Sequence, residues 1–407
     1  MANRSRVLFI PIGVLCILGL GAFASTAAAP VQCGDVITED LKLQADLTDC
    51  PDDGLVVGAD RITINLNGHE VSTDCEPAEC SGRVGIDNSR GYDRVRIRNG
   101  EVSGFEQNIL LEGANRNTLA QLSVKGGRFL HYGSNSLALD DSDRNLIKDS
   151  VLSGGDPAVL FEGSDHNRVV RTSLRGGIAI RVGDAIYVLD GSDANTVVDS
   201  DIDGGGAGGM LVRDSMRNRV KRSTAYGYAG AIYLHDANRT LVIDNELNGG
   251  QGCALCVRGD RNTIRGNRGG SGNGGIEIDG DRNVVLRNRA VGGIFNPNAI
   301  SVHSGNRNVI RDNEAEGSYA SPVIHIAAAA NRTSLVRNSA SGGSDVFEPT
   351  SGDGIKVDAP GTLIRGNTAN DNDALGINAV DGVIDGGDNH ASGNGDPRQC
   401  VGVVCTP

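Results

Sequence analysis

A small residue, an aliphatic, any residue and a second aliphatic, as in GlyIleGluIle at 275–278, recur fourteen times along the chain, with a substitution in some copies such as Asn88 or Phe161. The first aliphatic falls at Leu55, Ile86 and Ile109, and so on to Ile324, Ile355 and Ile377. The intervals run from 21 residues (Leu255 to Ile276) to 31 (Leu55 to Ile86). A repeat in that range is the signature of a stacked solenoid. Alternation over three positions predicts a short strand with both aliphatics inward and the residue between them outward. Each turn therefore donates one strand to a long parallel sheet.

Behind the strand comes a tight polar turn, such as AspGlyAsp at 279–281. A segment of the form Asn-x-aliphatic-x-x-Asn/Ser-x-small-x-Gly follows, complete at 308–317. Its sixth position makes a column of its own, Ser150, Thr172, Ser200 and Ser223, then Asn245, Asn267, Asn288, Asn313, Asn338, Asn367 and Asn389. Stacked amides at strand spacing hydrogen-bond to one another, so this column predicts a buried, structural asparagine ladder at a bend.

Strand, tight turn, strand, Asn bend, strand and variable loop make the coil of an all-β, right-handed parallel β-helix of about 14 coils, three short strands in each. On these residues the chain resembles the pectate-lyase-like superfamily, closest to secreted bacterial proteins known by their β-helix repeats. The resemblance covers roughly residues 50–395. It implies the fold, but that fold hosts lyases, hydrolases, epimerases, adhesins and proteins without activity. A leucine-rich solenoid would need a helical period in each repeat, and none is present.

Residues 1–29 read as an export signal, with Arg4 and Arg6 before an apolar run and small residues at its end. The remaining boundaries are an N-terminal cap over 30–53, the β-helix over 54–395 and a disulfide-stapled tail over 396–407. Past the signal stand eight cysteines, an even number that favours disulfides in an exported protein. Proximity suggests Cys33–Cys50, Cys75–Cys80, Cys253–Cys256 and Cys400–Cys405. The third pair is the doubtful one, because Cys256 is on a strand and an extended chain would hold it too far from Cys253. The expected location is secreted or cell-surface, as a monomer that leaves the membrane once the signal is cleaved.

Fifty-one acidic against 38 basic residues leave a net charge of −13, which argues against nucleic acid as a partner. No Trp and 3% aromatic residues lower the expectation of a tight sugar-stacking site. Turn acids such as Asp279 with Asp281, or Asp199, Asp201 and Asp203, could hold Ca²⁺, although solvated turns more often look the same. No other cofactor is expected.

In the enzymes this chain resembles, the substrate groove runs along the outward face of the strand before the short turn. Phase alone places Tyr233, His235, Arg258, Glu277, Asp279, Ser301, His303, His325, Lys356 and Asp358 there on consecutive turns. Strand spacing predicts that Arg258, Asp279 and His303 stack within hydrogen-bonding reach. The small residue before each strand (Ala231, Ala254, Gly275, Ala299, Gly354) would let a ligand approach the backbone.

Two mechanisms on an acidic polysaccharide fit this strip. For β-elimination or epimerisation of a uronan, Arg258 neutralises the carboxylate, His303 or His325 takes the C5 proton and Tyr233 donates one. For inverting hydrolysis, Glu277 and Asp279 are the carboxylate pair. His235, Ser301, His325, Lys356 and Asp358 would hold substrate. The sequence lacks the AsnThrAsp, GlyAspAsp and GlyHisGly of polygalacturonases and the AspProHisAsp of alginate epimerases, which puts a named activity in doubt. The competing expectation is a non-enzymatic solenoid whose charged strip is a stabilising surface ladder.

Overall fold

The computed structural model describes residues 30–74, 82–126, 135–177, 184–269, 275–293, 298–317, 322–344 and 352–407. Among them the structure is strand and turn without helix, in parallel ladders. No helix among the described residues is long and apolar enough to cross a membrane. The export segment 1–29 and the pair Cys75 and Cys80 lie outside the described residues.

The aliphatic column forms the first sheet as its phase predicts. Leu55 is paired with Ile86, Ile86 with Ile109, Ile276 with Ile300 and Ile355 with Ile377, without a slip in this column. Both aliphatics of each triplet are buried and the residue between them is mostly half-exposed, as Ile276, Glu277 and Ile278 show. The sheet has 16 strands rather than 14, because Asp35–Ile37 pairs with Leu55–Val57 and Cys400–Val401 with Ile377–Ala379. The end segments thus continue the first sheet by one strand each. They lack the small–aliphatic signature because half their contacts face an end of the stack.

Two further stacks complete the coil, for example Thr263–Arg265 on Val284–Leu286 and Glu314–Glu316 on Ser339–Ser341. The bend between them holds the asparagine ladder. Asn245 Nδ2 donates to Asn267 Oδ1 at 2.9 Å, and the chain of bonds continues through Asn288, Asn313, Asn338 and Asn367 to Asn389 at 2.9–3.3 Å. Each amide also donates to a carbonyl of the preceding coil, as Asn288 does to Ile264 at 3.0 Å. Ser200 and Ser223 give their hydroxyl oxygens to backbone amides in the earlier coils instead.

A second ladder runs up the other side of the core. It is made by the asparagine that opens each segment: Asn145, Asn167, Asn195 and Asn218, then Asn262, Asn283 and Asn308. Each Oδ1 accepts the backbone N–H of the residue one coil earlier, as Asn308 does from Asn283 at 2.8 Å. This asparagine is in the sequence pattern, but its ladder role requires the bend geometry.

Three disulfides close among the described residues: Cys33–Cys50, Cys253–Cys256 and Cys400–Cys405. Such bonds persist in oxidising, extracytoplasmic compartments. The doubt over Cys253–Cys256 is removed by a turn. Cys253 precedes the strand Leu255–Arg258, and the bend brings the two Cα atoms to 5.7 Å, inside the normal disulfide range.

Candidate functional site

The first outward column is continuous. Tyr233, Cys256, Glu277, Ser301, His325, Lys356 and Asn378 are register partners on successive strands, each paired with the next. Tyr233, Glu277, His325 and Lys356 are half-buried and Ser301 is fully buried between them. The side chains of Arg258 and Lys356 form no hydrogen bond or ion pair among the described residues.

The second outward column departs from its expected stack. His235 pairs with Arg258 and Arg258 with Asp279, but a β-bulge then sets Asp279 opposite Ser304 instead of His303. Ser304 Oγ donates to Asp279 Oδ1 at 3.0 Å. The turn from Val302 to Asn308 is one residue longer than that from Ile278 to Asn283, and a bulge absorbs the extra residue. His303 is that residue. It is exposed and its Nε2 hydrogen-bonds Ser301 Oγ at 3.1 Å. Arg258, Asp279 and His303 therefore do not form one stack. Among the described residues the one ion pair of His235 is with its neighbour Asp236, at 3.4 Å.

Two coils further on, His325 Nε2 lies 2.9 Å from Asp358 Oδ2, with Lys356 beside His325 in register. This is the tightest ionic contact in the strip. Tyr233 points the other way, its hydroxyl donating to the Ala229 carbonyl. Burial, then the carboxylates of Asp184 and Glu277, raise the pKa of Tyr233, while Arg258 opposes them.

The small-residue column has a different cause from the one expected. A Cβ on Gly275 would lie 2.2 Å from the Asn298 carbonyl oxygen, and one on Gly209 2.4 Å from that of Ala231. The next coil's backbone fills this space, so the column is small to let coils stack. It does not clear a floor for ligand.

The turn acids are engaged by protein groups. Asp281 Oδ1 accepts the amide N–H of Asn306 at 2.8 Å, which with the Asn306 side chain holds its carboxyl below the usual range. Asp199 is clamped by Arg222 at 2.7 and 2.8 Å. Neither group presents converging free oxygens, so they do not fit Ca²⁺. Among the described residues the one cluster of three ligand-type side chains is Cys253, Cys256 and Glu277. Its sulfurs are joined in the disulfide and offer no thiolate.

A cavity of about 420 Å³ opens at the Tyr233 end of the strip, lined by Asp184, Gly208, Tyr228, Tyr233 and Gln251. Burial raises the Asp184 pKa to about 6, against a hydrogen bond from the Gly208 N–H. Asp184, Tyr228 and Gln251 lie outside the strand phase, where loop length varies. One signal does mark Asp184. Asp53, Asp184 and Asp353 all stand two residues before a first aliphatic, and each accepts an N–H from the same slot one coil on, at 2.9, 2.5 and 3.0 Å.

A family model described as "Right handed beta helix region" matches residues 107–269 and 253–406. The chain belongs to the right-handed β-helix family. The hand of the coil follows from that membership. Among solved structures the chain is similar to the Dettilon tailspike protein gp208 (13% identity, 80% of this chain and 63% of that one, TM-score 0.49). It is also similar to the A-module of the Azotobacter vinelandii mannuronan C-5 epimerase AlgE4 (13%, 78% and 92%, 0.46). A third similar structure is an alginate lyase from a Paenibacillus species (13%, 66% and 93%, 0.40). The chain thus spans less than two thirds of the tailspike's length. No curated protein sequence matches it.

Proposed function

We propose that the outward face of the first sheet, from Tyr233 to Lys356, binds an extracytoplasmic polysaccharide laid along the coil axis. Arg258 and Lys356 make an acidic polymer the preferred one. One observation carries the proposal: six consecutive strands hold Tyr233, Cys256, Glu277, Ser301, His325 and Lys356 in unbroken register. At about 4.8 Å per strand they form a rigid rack about 24 Å long, sufficient for several sugar units. The strip's two unpaired cations can meet carboxylates without first breaking an ion pair. Equilibrium binding of an oligouronate to the full chain tests this. The affinity should fall on removing Arg258 and Lys356, and unchanged affinity would refute the site.

A second reading adds turnover, favoured by the His325–Asp358 contact. In the tautomer that donates Nε2–H to Asp358, His325 Nδ1 would serve as the base. It would take the C5 proton of a uronate whose carboxylate is neutralised by Lys356. The electron pair forms the C4–C5 double bond, the C4–O bond breaks, and a proton from His303 completes the leaving hydroxyl. Tyr233 does not serve here as the acid, since it is four strands, about 19 Å, from His325. Hydrolysis by Glu277 and Asp279 has less support, because Asp279 is held by Ser304. Elimination creates an unsaturated product that absorbs in the ultraviolet. If uronans bind without that absorbance appearing, the elimination reading fails and the binding reading stands without it.

A further inference from the structure

The outward positions of the second sheet carry one sign of charge. Arg96 and Arg98 share a strand, Lys148 follows two strands on, and Arg168 is next to it. Then come Arg219 with Lys221, Arg265, Arg311 and Arg365, each on the second strand after the last. No outward position between Thr63 and Arg365 in this sheet carries a carboxylate. That is a marked departure in a chain whose net charge is −13.

An indifferent solvated face would mix signs, as the third sheet does. There Arg289 lies 3.8 Å from Glu314 and 3.4 Å from Glu316. On the second sheet only Arg311 and Arg365 reach a carboxylate, Asp312 at 3.3 Å and Asp388 at 3.7 Å, both at the flanking bend. The other cations of the face form no ion pair among the described residues. The bend acids Asp149 and Asp199 hydrogen-bond Arg171 and Arg222, and although Lys148 and Lys221 also lower their pKa, they form no ion pair with the face.

The spacing of the charges is regular as well. From Lys221 onward, cation-bearing strands alternate with strands whose outward residues are Leu241 and Ile243, Val284 and Leu286, or Ser334 and Val336. Two strands are about 9.6 Å along the axis. The stripe is only two outward residues wide but runs over twelve strands, from that of Arg96 to Leu363–Arg365, and ends before Ile384–Asp385. At its N-terminal end a cavity of about 420 Å³ is lined by Arg96, Arg98 and Lys148 with Ala120, and by one bend acid, Asp149.

We infer that the second sheet is a separate binding face for a linear acidic polysaccharide, one carrying a carboxylate or sulfate at a regular interval. A narrow stripe with periodic cations matches an extended polymer better than the plane of a lipid surface. The aliphatic strands between the cations suit the C–H edges of sugar rings. This face is independent of the strip on the first sheet, and would tether a polymer while that strip engages it.

The test uses the full chain and the variant Arg98→Gln, Arg219→Gln, Lys221→Gln, Arg265→Gln. Glutamine keeps a polar stem and the core residues are untouched, so the melting temperature should hold. Wild type should be retained on immobilised polygalacturonate and dextran sulfate at low salt, be released by added NaCl and pass through neutral dextran. The fourfold variant should bind at least tenfold more weakly, whereas Arg258→Ala with Lys356→Ala should leave most of that retention in place. Undiminished retention of the fourfold variant would overturn the inference. So would equal retention on neutral dextran, or tighter binding to phosphatidylglycerol vesicles or duplex DNA than to either acidic polysaccharide.

Discussion

The bend of the coil and the outward face of the first sheet have the same register and opposite contents. At the bend, Asn245 to Asn389 place the same side chain in seven consecutive coils, each amide bonded to the next. On the outward face a phenol, a disulfide, a carboxylate, a hydroxyl, an imidazole and an ammonium occupy successive strands. A buried polar group must be matched, and in a solenoid the partner is the same position one coil away. Identity therefore propagates inside. Water satisfies an outward residue, so nothing in the fold demands that neighbours agree. Repetition marks what holds the coil together, and variety marks where chemistry is free to differ.

Breaking the repeated column should cost the most. Asn288→Ala and Asn313→Ala each leave buried amide partners unmatched, a loss on the order of 1–3 kcal/mol apiece. The double variant should show the larger fall in denaturant midpoint. If both singles unfold like the parent, the ladder contributes nothing.

Asp184 sharpens the comparison, being a half-buried carboxylate that the repeat does not neutralise. Its folded pKa of about 6 exceeds the ordinary carboxylate value of 3.8, so the folded state binds the proton more tightly than the unfolded one. Stability should therefore fall as pH rises through roughly 4 to 6 and stay lower above, by up to about 3 kcal/mol. Burial is the main cause, with Asp156 adding to it. Asp184→Asn should raise the melting temperature at pH 7.5 more than at pH 4.5. Equal shifts at the two pH values would show that Asp184 does not titrate in that window.

The outward column should respond in the reverse sense. With the second sheet silenced, Arg258→Ala with Lys356→Ala should weaken oligouronate binding about tenfold, roughly 1.4 kcal/mol, and leave the denaturant midpoint unchanged. Smallest of all should be the exposed ladder of bend ions. Arg337 clamps Asp312 at 2.7 and 3.1 Å, yet Arg337 is exposed and Asp312 only half-buried, and Arg337→Ala should alter neither the midpoint nor binding measurably.

How much of this was legible in the sequence follows the same division. The aliphatic column, the inner asparagines and the phase of Tyr233, Glu277, Ser301, His325 and Lys356 could be read because period and register are set by burial. The displacement of His303 could not be read from phase, since a single added residue in the turn after Val302 shifts everything beyond it. The small column was visible, but its cause was not. Whether Gly275 faces a ligand or the Asn298 carbonyl depends on how closely the coils stack. Tyr228 lies in a loop of unequal length, where no column exists to be counted, whereas Asp184 shares its slot with Asp53 and Asp353. The charge of the second sheet was present in the sequence, hidden because its acidic counterparts lie in the turns.

The central claim is that the variable column is the binding face, and one titration addresses it directly. In the background of Arg98→Gln, Arg219→Gln, Lys221→Gln and Arg265→Gln, the second sheet is silenced and only the first can bind. Calorimetric titration of an oligogalacturonate into that protein should give saturable binding, which Arg258→Ala with Lys356→Ala weakens about tenfold at unchanged melting temperature. The same affinity with and without Arg258 and Lys356, or no binding at all once the second sheet is silenced, would contradict it.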